Sequence, residues 1–190
     1  ILTYPGITRF YYPLVLTTLL AMGMQPMVSF FLARSVDAIN SLAVMPVVLA
    51  LVFVFRALGL AYQEVGIALI GVRGEGYRPL RHFANRLAIA AAGGLALVTC
   101  TPLTAIWFET ISGLSPELSQ VALWPARVLA FMPALTVWLS FQRAMLVNAQ
   151  RTTHVSWATS LEVLGAAACL GVGIFALGVS GALTAAVALM

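Results

Sequence analysis

The sequence predicts an all-α, polytopic transmembrane helix bundle of six spans, the last one truncated. Three observations predict it. The chain is 62% hydrophobic and only 8% charged, against roughly 45–50% apolar and about 25% charged in ordinary soluble domains. Its mean hydropathy is +1.00. Its apolar residues are gathered into six runs parted by short polar or glycine-rich connections. Runs such as Val47–Val54 lack the alternation of barrel strands. An open backbone in hydrocarbon leaves its polar groups unpaired, so each run is read as a helix.

A span of ~20 residues plus a connection allows the 190 residues about six or seven crossings. The first runs from Phe10 to Ala33, the second from Ser41 to Ile70 and the third from Phe83 to Phe108. The fourth covers Glu117 to Val147 and the fifth Val155 to Leu177. The sixth opens at Gly181 and is cut at Met190. The chain starts at Ile1 and stops inside an apolar run, so it is expected to be a single lobe (residues 1–190) of a longer protein. All connections are short, which predicts antiparallel packing of consecutive helices.

The ten basic residues are all arginine, set against six acids, for a net charge of +4. In a soluble protein this balance would suggest nucleic acid; here the arginines cluster in connections, so no nucleic-acid partner is expected. With the N-terminus in the cytoplasm, Arg9, Arg73, Arg78, Arg81, Arg86, Arg143 and Arg151 fall near the inner face and only Arg34 near the outer one, a seven-to-one ratio. The positive-inside rule then predicts a multi-pass inner-membrane protein with its N-terminus inside. Trp107, Phe108 and Trp124 are expected in an outer aromatic belt, and Tyr11, Tyr12, Tyr77 and Trp157 near the inner one.

Proline recurs within the runs, at Pro13, Pro26, Pro46, Pro102, Pro125 and Pro133. Each removes a backbone donor and bends its helix. Gln25 beside Pro26 puts a polar amide at such a bend, and Pro26 and Pro133 are the candidate hinges. Small residues at four-residue spacing, Ala88, Ala92 and Ala96, then Gly165, Cys169 and Gly173, predict close helix contacts.

Five ionisable residues lie inside apolar runs: Arg56, Glu64, Arg127, Arg143 and Glu162. Each costs about 2.5–3.5 kcal/mol at the centre of a span on insertion scales, so each should face protein or water. Arg56 is near the middle of its run. Glu64 is displaced from it by ~12 Å along the axis and ~80° around it, so the two do not pair. By depth, Glu162 can meet Arg56, and Arg143 can meet Glu64. Arg127 either snorkels to the interface or joins a polar cavity with Arg56, Gln63 and Gln25, in which Glu64 or Glu162 balances the charge. Two arginines against one or two acids suit an anionic substrate. Cys100 and Cys169 have no metal-binding spacing, no paired acids are placed to hold metal ions, and no enzyme signature is present. Neither catalysis nor a cofactor is expected.

The stretch Arg9–Arg34 (RFYYPLVLTTLLAMGMQPMVSFFLAR) resembles the first helix of a lobe in the multidrug/oligosaccharidyl-lipid/polysaccharide exporter superfamily, which includes the MATE exporters. Pro125–Thr152 (PARVLAFMPALTVWLSFQRAMLVNAQRT) resembles the long fourth helix and its basic exit, and Gly178–Ala186 (GVSGALTAA) the turn into a sixth helix. The arrangement PLVLT, QPMVS, LAR and PARVLAFMP is most similar to the second lobe of the progressive ankylosis protein and its bacterial relatives. The resemblance implies two six-helix lobes around a central cavity, alternating access, and small anions as exported substrates. It implies a second lobe in the same chain and surrounding lipid as partners. The MATE cation-coupling acid of the first helix has no counterpart here. A flippase for lipid-linked oligosaccharides and a non-transporting membrane scaffold are the alternative expectations.

Overall fold

The computed structural model describes residues 4–70, 75–148, 152–176 and 180–190, with side chains for all of these except residues 4–14, 16, 17, 21, 152–157 and 176. Arg9, Tyr11, Tyr12, Arg73, Arg151 and Trp157, which entered the orientation argument, lie outside the described residues or side chains. The described residues are helical almost throughout and hold no strand. In chain order the helices are α1 (Tyr4–Leu32), α2 (Ala38–Leu69), α3 (Tyr77–Cys100), the single turn α4 (Leu103–Ala105), α5 (Pro116–Val128), α6 (Met132–Asn148), α7 (Thr152–Gly171) and α8 (Gly181–Leu189). Four helical stretches are long and apolar enough to cross a membrane: Ala38–Leu69, Tyr77–Cys100, the continuous Pro116–Asn148 and Ala158–Phe175. The protein is therefore a helical membrane protein. The apolar stretch Thr18–Leu32 of α1 is shorter, and α8 has only nine residues.

The third predicted span is interrupted. α3 stops at Cys100, and Thr101 is extended, with φ −117° and ψ 169°. Pro102 is the cause, because its ring pushes the preceding residue out of the helical region. The carbonyls freed by the break find side-chain donors. Thr101 Oγ1 donates to the Leu97 carbonyl at 2.7 Å, and Thr104 Oγ1 lies 3.0 Å from that of Val98. Beyond α4, residues Ile106–Ile111 form a π-helical turn. Its extra residue per turn shifts the facing of the side chains. Phe108 is fully buried in the core, which corrects its placement in an aromatic belt. Trp107 is half-buried and packs against the same core, whereas Trp124 is exposed.

The fourth span changes its hydrogen bonding where proline predicts. In a regular helix residue 133 would donate to the Leu129 carbonyl. Pro133 cannot, and the Met132 amide takes that carbonyl in the tighter i→i+3 pattern. A 3-10 turn at Leu129–Phe131 results, joining α5 to α6. At Pro26 and Pro46, by contrast, the helix assignment continues unbroken.

Packing departs from the expected neighbour order. The most extensive contact is between α2 and α6, which are not consecutive and run parallel. Glycine sets it: a Cβ at Gly59 would lie 3.0 Å from the Val137 backbone nitrogen, and one at Gly66 would lie 3.0 Å from the Ala144 Cβ. Small residues let the backbones approach closely where hydrocarbon offers no hydrophobic drive. α1 likewise packs mainly on α7 and touches consecutive α2 only lightly. On α3 the buried face is Leu80, Ala84, Ala88, Ala91, Leu95 and Thr99, so Ala92 and Ala96 are only half-buried. Of the stripe's two glycines, Gly173, just beyond α7, meets Thr184 on α8 closely, while Gly165 faces open space. The start of α8 is held by buried Ser41, whose Oγ accepts from the Ala182 amide at 3.1 Å.

Two apolar clusters result. One gathers Val44, Val48, Val52, Leu95, Phe108, Leu129 and Met132 with neighbours from α1, α7 and α8. The other is built from Tyr62, Ile70, Leu80, Ala84, Ala88, Val137, Phe141 and Ala144. Tyr62 ties the second together, donating from its hydroxyl to the Leu80 carbonyl at 2.8 Å.

Candidate functional site

On α2 the first apolar cluster ends at Phe55 and the second begins at Tyr62; on α6 the change falls between Met132 and Ala134. Arg56 sits at this seam, near the midpoint of α2, and is half-buried. Its Nη1 lies 3.9 Å from the Met132 Sδ, a weak acceptor, and its buried Nε has no partner. No carboxylate lies within ion-pair distance of it among the described residues. Met132 was not legible as an Arg56 contact; the only sign of it was its place beside Pro133.

The expected charge pairing is corrected. Glu162 pairs with Arg143 rather than with Arg56: Arg143 Nη2 and Glu162 Oε2 are 3.6 Å apart, with side chains 35% and 52% exposed. Glu64 does not meet Arg143; it is exposed and makes no ion pair among the described residues. Helix register explains this. Gly59 and Gly66 turn one face of α2 onto α6, and Glu64 lies about 140° and 200° around the helix from them. Gln63 is half-buried on the same face of α2 as Arg56, ~10 Å along the axis. Arg143 and Glu162 thus neutralise each other, and Arg56 is left as an unpaired positive charge at span depth.

The remaining polar residues expected in one cavity lie elsewhere. Gln25 lines a half-open cavity of about 240 Å³ between α1 and α2, with Val28, Ser29, Leu32, Leu42, Met45, Pro46 and Leu49. Light contact between those two helices leaves the space, and Arg56 and Gln63 are not among its lining residues. Arg127 is exposed; its Nε donates to the Thr99 carbonyl at 3.5 Å and its guanidinium carbon lies 5.6 Å from the Trp124 ring centroid. Among the described residues no group of His, Cys, Asp and Glu could hold a metal ion.

Compared with protein-family models, curated proteins and solved structures, the chain gives no match. Fold and site define its class: a helical membrane protein with a cationic group at span depth.

Proposed function

We propose that the chain is one six-helix lobe of a secondary transporter that works by alternating access and carries a small anionic substrate. The observation that carries this reading is Arg56, a guanidinium at mid-span with a buried, unpartnered Nε and no carboxylate in reach. A charge at that depth costs about 2.5–3.5 kcal/mol on insertion scales, and such residues usually mark a substrate or ion path. A scaffold with no transport role would be expected to pair its buried charges off. Here Glu162 is held by Arg143, and Arg56 is left to a thioether.

In this mechanism Arg56 attracts the negative group and Gln63 orients it. With the seam empty, Arg56 rests against the Met132 thioether while Glu162 stays with Arg143. Rocking against a second lobe of the same protein, with the 3-10 turn before Pro133 as a hinge, exposes the seam to each side in turn. The arginine distribution supports a cytoplasmic N-terminus and a place in the inner membrane.

The test is flux through the full-length protein in proteoliposomes loaded with radiolabelled inorganic phosphate, sulfate or succinate. Release of at least one anion above protein-free vesicles is expected. Release of none of them, with the poorly permeant cation tetraethylammonium released instead above protein-free vesicles, would contradict an anionic substrate.

A further inference from the structure

Arg127 lies on the outward stripe of the continuous helix α5–α6. Trp124, Phe131, Leu135 and Trp138 on that stripe are all exposed, Trp124 by 66% and Phe131 by 63%. A charged residue in a lipid-facing stripe must find a counter-charge or reach water. Among the described residues no carboxylate neutralises Arg127, since the ion pair there is Arg143–Glu162.

Its direction is set by the helix. Side chains on an α-helix lean toward the N-terminus, which for Arg127 means the Pro116 end of α5. The guanidinium accordingly lies over Trp124, one turn earlier, and tryptophan favours the headgroup level. From the neighbouring helix, the Thr99 carbonyl, left free by the break at Thr101, accepts from Nε. That contact uses Nε, and the two Nη groups of this exposed side chain have no hydrogen-bond partner among the described residues. A planar fork held this way matches the paired oxygens of a phosphate.

The geometry points to a phospholipid site at Arg127, where the guanidinium holds the phosphate of an anionic lipid in the leaflet on the Pro116 side, with Trp124 beside its glycerol backbone. The site is separate from Arg56 and does not depend on transport.

Native mass spectrometry tests it on the full-length protein, released from micelles doped with dioleoyl phosphatidylglycerol or dioleoyl phosphatidylcholine. The wild type retains phosphatidylglycerol in preference to phosphatidylcholine, and Arg127→Gln loses about fivefold of that retention. Arg127→Lys, which keeps the charge without the fork, falls between the two and covers the case in which the glutamine variant does not fold. Equal retention by the wild type and both variants overturns the site, as does equal retention of the two lipids. Displacement of phosphatidylglycerol by millimolar inorganic phosphate makes Arg127 a free-anion site and overturns the lipid assignment. Protection of Arg127 by a bound protein, with no lipid adduct, overturns it too.

Discussion

Gly59→Leu is expected to separate α2 from α6 and to lower the stability of the protein by about 3 kcal/mol or more. The reason is a backbone contact. A Cβ at position 59 would meet the Val137 nitrogen at 3.0 Å and its Cγ2 at 3.1 Å, with the Thr136 Cγ2 at 3.2 Å. A methyl can press the two side chains aside, but the nitrogen belongs to a helix that must move as a body. Leucine adds three more carbons in the same direction. Gly93→Leu is the matched control, because nothing lies within 4 Å of a Cβ there. It should be neutral or raise stability by up to about 1 kcal/mol through helix propensity. Scanning fluorimetry of both variants in detergent separates the cases. Similar midpoints for the two would mean that α2 and α6 do not rest on each other at Gly59.

Arg56→Gln is expected to act in opposite directions on stability and on anion handling. Arg56 is a buried charge with an orphaned Nε and only the Met132 thioether against Nη1. Removing it relieves an uncompensated desolvation cost, so the midpoint of unfolding should rise, by the equivalent of about 1–3 kcal/mol. The same change removes the positive group that draws the anion into the seam. The apparent KM for the transported anion should rise by about 30-fold or more, the equivalent of losing one buried charge partner. A residue with a purely structural role would move the other way on the first measurement, destabilising the protein when lost. Arg56→Lys keeps the charge and should keep part of the flux. Transport kinetics and unfolding midpoints measured on the same preparations check both signs.

The helices were legible because hydropathy and length decide them: Ala38–Leu69 and Pro116–Asn148 stand within a few residues of the apolar runs that predict them. The 3-10 turn before Pro133 was legible as a disturbance of the helix, since a missing N–H has a local consequence at Leu129. The pairing of charges was not. Depth along a span follows from counting residues, but the direction a side chain faces depends on which helix packs against which face. The expected pairs Arg56–Glu162 and Arg143–Glu64 rested on depth alone. Gly59 and Gly66 fix the rotation of α2 against α6 and turn Glu64 away from Arg143, whose partner is Glu162 on α7. Their seven-residue spacing was present in the sequence as a signal, but it names no partner. Phe108 was misplaced for a similar reason, because the break at Thr101 and the π-helical turn after it shift the facing that a regular helix assigns.

The central claim is that the seam at Arg56 is wet and positive. It is tested most directly by the reactivity of a single cysteine at Gln63→Cys, in the full-length protein with Cys100 and Cys169 replaced by alanine. Methanethiosulfonate reagents of opposite charge supply the measurement. The account predicts faster modification by the anionic reagent than by the cationic one, and loss of that preference when Arg56→Gln is added. A cysteine that neither reagent reaches, or that reacts faster with the cation while Arg56 is present, would contradict it.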